Sequence, residues 1–300
     1  MTISSSYTLP RSLWVTLALL TIFWGLNWPM MKLALSEVPV WTFRGSCVVV
    51  GALGMFAIAR LNRLAIRIPH GQWPRIAMQS LFNIGLWNVL IGYGVALLPA
   101  GRSAILAYTM PLWVVVLSAV TLNESLTVRR IAGVTLGMSG VLLLIGAELS
   151  VLRAAPVGAL MVLGAALSWA VGTVLIKRFP IALPTTSFVA WQLALGGLPV
   201  ALGALIIDWG AWQPISWKPT VGLLYNMFVA FIFCHWAWFK IAANAPAGVA
   251  ALSTLMIPVI GVFSGILLLG EQPRWQEYAA LLLVTLALAT VLIAPRPAPK

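Results

Sequence analysis

Apolar residues along this chain run in long stretches, with polar ones gathered between them. About 20 such residues can cross a bilayer as a helix. Ten runs are legible, at roughly 13–33, 39–59, 75–97, 101–122, 129–147, 156–177, 184–207, 218–240, 247–269 and 275–294. They predict an all-α integral membrane protein with ten transmembrane helices joined by short loops. Only the stretches near 60–74 and 208–217 leave room for more than a tight turn. The first run reads as a retained span. It is longer than a signal peptide, holds Asn27 and Trp28, and is followed by no small-residue cleavage site.

The pattern repeats. Residues 99–111 read PAGRSAILAYTMP and residues 246–258 read PAGVAALSTLMIP; both continue through apolar residues to a glutamate, Glu124 and Glu271. Residues 24–32, WGLNWPMMK, are echoed at 169–177 by WAVGTVLIK. The chain therefore divides into two five-helix repeats, 1–150 and 151–300. Five is odd, so the second repeat enters the membrane from the opposite side. Secondary transporters use such inverted repeats to alternate between two facings.

Pro111 and Pro258 fall near the centres of spans four and nine. Each lacks an N–H and crowds the carbonyl four residues earlier, at Ala107 and Thr254. A proline that merely bends a membrane helix is the plain alternative. A matched pair in inverted halves favours kinks or gates beside a central pathway.

Composition agrees with the pattern. The chain is 61% hydrophobic and 8% charged, where soluble domains carry about 25% charged residues. The net charge of +12 reads as topology, with no nucleic acid implied, because the basic residues sit in short loops. With the N-terminus in the cytoplasm, most of them, including Arg60, Arg63, Arg67, Arg75, Arg129 and Arg130, fall on the inner side. Lys32, Arg102, Arg153, Lys218 and Arg274 fall on the outer side. Both termini are thus expected in the cytoplasm. Cys47 and Cys234 lie inside apolar runs and read as small buried hydrophobes.

WGLNWPMMK with its echo, FRG at 43–45, PAG…P…NE at 99–124 and PAG…P…GE at 246–271, in order across ten spans, resemble the EamA-type branch of the drug/metabolite transporter superfamily. Within it, the tryptophan-rich sequence is most similar to a bacterial aromatic amino acid exporter. The resemblance implies a bacterial inner (plasma) membrane protein that lets amino acids out. It also implies a central cavity lined by spans 1, 3, 4, 6, 8 and 9, the other spans being scaffold. Thr173 stands where the first half has Trp28, so the cavity chemistry is not symmetric.

Intramembrane carboxylates are the usual proton or cation relays. Glu37, Glu124, Glu148, Asp208, Glu271 and Glu277 all avoid span centres. Glu124 is expected to tether Arg129 or Arg130, and Glu271 to tether Arg274. A small-cation exporter would need a buried negative charge. Arg44, the one basic residue well inside a span, and Arg102 make no phosphate clamp. The expected substrate is a neutral or zwitterionic amino acid moving by facilitated diffusion. His235, the only in-span histidine, is either a packing residue, the default, or a protonatable group in the relevant pH range.

Of fifteen tryptophans, Trp14, Trp41, Trp73, Trp209, Trp212, Trp217 and Trp275 fall near span ends as an interfacial belt. Deeper positions supply the candidate substrate-binding set. Gln79, Asn83 and Trp87 recur every fourth residue in span three. Trp24, Asn27 and Trp28 lie in span one, with Trp169 and Thr173 at matching places in span six. His235 and Trp238 lie in span eight; Tyr108, Ser253 and Thr254 precede the prolines. An apolar, aromatic wall with a few amides and hydroxyls is the usual make-up of a small-molecule site, and stacking favours an aromatic substrate.

With two histidines, no H-E-x-x-H and no nucleophile–base pair, an enzyme is not expected, nor a metal or cofactor. Gly133-x-x-x-Gly137 is a weak packing signal for the scaffold or a dimer, so a monomer or weak dimer is expected. The competing function is a broad-specificity drug or metabolite exporter, possibly proton-coupled.

Overall fold

The computed structural model describes residues 11–122, 127–149, 155–244 and 247–292. Glu124 lies outside them, as do the side chains of Glu148, Ser253 and Thr254. The described residues form helices and connecting turns, with no strand among them. The helices are α1 (Arg11–Ala34), α2 (Val40–Leu61), α3 (Trp73–Leu97), α4 (Ala100–Leu122), α5 (Val128–Leu149), α6 (Ala155–Arg178) and α7 (Thr185–Ile206). Next comes α8, in three consecutive segments, Trp217–Leu224, Tyr225–Cys234 and His235–Asn244. Then follow α9 (Ala247–Leu269) and α10 (Trp275–Leu292). Seven of them, α1 to α4 and α6 to α8, have described stretches long and apolar enough to cross a membrane. The others contain the shorter apolar stretches Ile131–Leu144, Met256–Leu269 and Trp275–Thr290.

The main packed pairs are α2 on α7, α3 on α6 with α8 on α1, α5 on α10, α1 on α9 with α6 on α4, α3 on α7 with α8 on α2, and α4 on α9. Exchanging the two halves helix for helix leaves these pairs unchanged. Small residues set two contacts of α5. A side chain at Gly137 would collide with Leu112 and Ala287, and one at Gly140 with Ala280, Leu283 and Val284. Gly137 thus seats α5 against Leu112 of α4, and Gly140 seats it on α10. Both cysteines are buried thiols. Trp14, Trp73, Trp209, Trp212, Trp217 and Trp275 are exposed, as a belt requires, while Trp41 is half-buried and donates its indole N–H to the Tyr93 hydroxyl at 2.9 Å.

Helix ends leave amides and carbonyls unpaired and carry opposite partial charges. The acidic residues answer the amide ends. Asp208 accepts from the Thr42 N–H at 2.7 Å and its hydroxyl at 2.8 Å, at the start of α2. Glu271 accepts from Ala100 and Gly101 N–H at 2.5 and 3.1 Å, at the start of α4. Glu37 takes the Ser216 N–H at 2.6 Å before α8. Glu277 takes the Arg274 N–H at 2.8 Å and pairs with Arg102. Glu271 thus tethers a helix start instead of the expected Arg274. Beside it, Lys32 Nζ donates to the Val95 and Ala96 carbonyls at 2.9 and 2.8 Å, at the end of α3. A cation from α1 and an anion from the α9–α10 connection therefore hold the two sides of the sharp α3–α4 connection.

Two irregularities shape the middle of the molecule. In α3, Leu81–Leu86 is a π-helix; in α8, Tyr225–Cys234 is another. They occupy corresponding helices of the two halves. π segments are rare and gather at functional sites. The prolines behave differently from each other. Pro111 follows a break in α4, where Ala100–Ala107 ends, Tyr108 and Thr109 form a turn, and Met110–Leu122 resumes. Around Pro258, α9 continues without interruption. A break in the helix beside the proline is therefore present in the first half only.

Candidate functional site

A cavity opens among helices of both halves. It is walled by Trp24, Asn27, Trp28 and Met31 from α1, and Arg44 from α2. From α3 come Ile84, Trp87, Asn88 and Ile91, and from α4 Tyr108 and Met110. Trp169 of α6 and Ala230, Phe231 and His235 of α8 complete the described wall. Its surface is mostly apolar, with a few polar atoms.

Aromatic contacts hold the wall in shape. Trp87 meets Trp169 edge to face, centroids 5.0 Å apart. Trp28 meets Tyr108 at 6.3 Å, and Trp24 meets His235 at 6.1 Å, both T-shaped. Such geometries follow the ring quadrupoles. The break in α4 puts Tyr108 in the wall, and the two π segments bring Ile84 and the Ala230–Phe231 pair there. His235 Nδ1 lies 2.9 Å from the Ala230 carbonyl oxygen. That contact fixes the tautomer with hydrogen on Nδ1, leaving Nε2 as the ring's acceptor.

Of the sequence-derived candidates, Trp24, Asn27, Trp28, Trp87, Tyr108, Trp169 and His235 share this wall. Gln79 and Asn83 are buried, as a polar stripe should be, but against α6 instead of the cavity. Gln79 Nε2 donates to the Phe179 and Leu175 carbonyls at 2.8 and 3.3 Å, closing the end of α6. Asn83 Nδ2 donates to the Trp169 carbonyl at 3.1 Å. Thr173 turns its hydroxyl back onto that same carbonyl at 2.8 Å. Trp238 stands behind Trp24, centroids 5.9 Å apart. The side chains of Ser253 and Thr254 lie outside the described residues.

Sequence reasoning missed Arg44, Asn88, Met31 and Phe231. The α2 helix was expected to be scaffold, yet Arg44 brings it to the wall. The signal was present: a lone arginine deep in a span is expensive and therefore functional until shown otherwise. Asn88 was masked by the π segment, which shifts every later side chain of α3 around its axis.

The model of the EamA-like transporter family matches residues 12–146 and again 156–293. An uncharacterized transporter of Bacillus subtilis, YoaV, is 30% identical over 84% of this chain and 87% of its own. A probable amino-acid metabolite efflux pump of Salmonella typhimurium is 27% identical over 89% of this chain and 90% of its own. Its counterpart in Escherichia coli is 25% identical over 89% and 90%. A solved crystal structure with 20% identity superposes with a TM-score of 0.66, covering 94% of this chain and 96% of that one, which establishes a shared fold. Multi-pass apolar helices, two family matches in tandem and full-length relatives agree: the chain belongs to the EamA-like transporter family.

Proposed function

We propose that this protein exports aromatic and other neutral amino acids across a bacterial inner membrane by facilitated diffusion. Its ten spans form two inverted five-helix halves that alternate access to the central cavity, with both termini cytoplasmic. The carrying observation is the aromatic wall between helices of both halves, with polar groups placed among the rings. Indole and phenyl side chains suit such a wall. The names of the Salmonella and Escherichia coli relatives, probable amino-acid metabolite efflux pumps, support an amino acid substrate. The use of Glu37, Asp208, Glu271 and Glu277 at helix starts supports uncoupled transport, because it leaves these four carboxylates to structural work.

A second reading is a broad drug or metabolite exporter coupled to protons. The observation favouring it is His235, a titratable group in the cavity wall. Counterflow of labelled tryptophan in liposomes separates the two. Under the first reading, unlabelled tryptophan and threonine compete and a lipophilic cationic drug does not. Competition by the drug alone replaces the first reading with the second.

A further inference from the structure

Arg44 lies on the cavity wall with no charged partner among the described residues. It is 2% exposed. A guanidinium offers five N–H donors and accepts nothing. Here Nη2 reaches only the Met31 sulfur, at 2.9 Å, a weak acceptor. The Phe43 ring lies 5.1 Å from Cζ. The buried Nε has no acceptor among the described residues. Glu37, the acidic residue before it in the chain, and Asp208, which bonds Thr42 on the same helix, are held at helix starts. A buried charge in this state is costly unless something completes it.

The same wall carries the opposite deficit. The side-chain oxygens of Asn27 and Asn88 are buried without donors. For Asn88 the orientation is fixed chemically: its Nδ2 donates to the Ile84 carbonyl at 2.8 Å, so reversing the amide would set oxygen against oxygen. Asn88 lies one turn before Gly92 on α3. A Cβ at Gly92 would stand 3.5 Å from Arg44 Nε and 2.7 Å from Val40. The missing side chain makes room chiefly for Val40, and the Arg44 side chain lies in contact with α3 beside it. An unmet cationic donor and an unmet amide acceptor thus line one cavity, with Asn88 about one helical turn, roughly 5.4 Å, from the α3 position that Arg44 lies against.

We infer that Arg44 anchors the carboxylate of a zwitterionic α-amino acid, and that the amide oxygens of Asn88 and Asn27 receive its ammonium. This rests on the amino acid reading above and names the head-group site within it. A guanidinium binds a carboxylate through paired, charge-assisted hydrogen bonds. The ammonium brings only donors, which is what two free amide oxygens need. Trp87 is next to Asn88 and faces Trp169, so a side chain leaving this head-group site enters the aromatic part of the wall. The cavity tolerates an uncompensated cation because its ligand arrives with the anion.

The test is binding to the purified protein, with tryptophan, tryptamine (no carboxylate) and indole-3-propionate (no ammonium) as probes. Wild type is expected to favour tryptophan over tryptamine by about tenfold or more, the scale of one charge-assisted pair. Arg44→Gln removes that preference while tryptamine affinity stays within about twofold. Asn88→Leu weakens tryptophan and tryptamine but spares indole-3-propionate. Arg44→Met, apolar and of similar length, raises the melting temperature of the ligand-free protein, as expected when a buried unpaired charge is removed, and loses tryptophan binding. If Arg44→Gln does not fold, the wild-type probe series with Arg44→Met decides.

Tryptophan bound equally by wild type and Arg44→Gln or Arg44→Met overturns the inference and leaves the amino acid reading standing. A lower melting temperature in Arg44→Met with binding retained does the same, marking Arg44 as packing. Indole-3-propionate bound by wild type and lost in Arg44→Gln, with tryptophan ignored by both, keeps the carboxylate anchor and overturns the amino acid reading. Tryptamine bound as tightly as tryptophan by wild type overturns the anchor directly.

Discussion

The two ends of α3 do different work with similar residues. Toward its start, Gln79 and Asn83 direct their amide donors onto α6, at the Leu175, Phe179 and Trp169 carbonyls. Beyond the π segment, Asn88 and Trp87 face the cavity, and Asn88 directs its amide donor back onto its own helix, at the Ile84 carbonyl. One end is a seam between helices, the other part of the cavity wall. Burial alone does not distinguish them, since Gln79, Asn83 and Asn88 are all buried. What separates them is where their hydrogen bonds go.

That contrast gives predictions of decreasing size. The largest effect falls on the cavity end. Trp87→Ala or Trp169→Ala removes the edge-to-face pair, and tryptophan transport should fall by about tenfold, the upper range for an aromatic contact. Unchanged transport by either folded variant would place the substrate elsewhere. At the seam, Gln79→Leu leaves the Phe179 carbonyl without its donor and should cost about 1–3 kcal/mol of stability. Thermal unfolding in detergent reads this, and the KM for tryptophan should not move. A raised KM with unchanged stability would erase the distinction between the two ends.

Smaller effects belong to the helix starts. Glu271→Gln removes the anion at the start of α4 and should lower stability by about 0.3–1 kcal/mol, less at high salt. A variant as stable as wild type at low ionic strength would show that the contact adds nothing. The smallest effect concerns Glu37, in the exposed α1–α2 connection. The Ser216 N–H and hydroxyl hold its carboxyl below the ordinary value of 4.5. A depressed carboxyl stabilises the folded state above its unfolded pKa, and that contribution disappears as pH falls through the folded value. Melting curves from pH 7 to pH 3 should show a slightly steeper acid loss in wild type than in Glu37→Gln. Parallel curves would remove the contact from the balance.

The helical architecture was legible because lipid imposes a simple code: long apolar runs, basic loops, tryptophans at the edges. Much of the aromatic wall was legible too, since Trp24, Trp28, Trp87 and Trp169 were deep, with Trp24 and Trp169 at matching places in the two halves. Helical spacing failed where the helix is not α. Gln79, Asn83 and Trp87 form one face only if every turn is alike, and the π segment Leu81–Leu86 breaks that rule. Pro111 and Pro258 look equivalent in sequence, yet only the first follows a break in its helix. Proline removes one donor in both; whether the helix parts depends on the packing around it. Arg44 went unread because its pattern gave no second charge nearby, and that missing partner is the observation the structure turns into a site.

The most direct test of an uncoupled amino acid carrier is transport of labelled tryptophan and threonine by the purified protein in liposomes, with and without a pH gradient. Saturable exchange of both, at the same rate whether or not the gradient is present, is the predicted result. No movement of either amino acid, or movement only when the gradient is imposed and lost in His235→Ala, would contradict it.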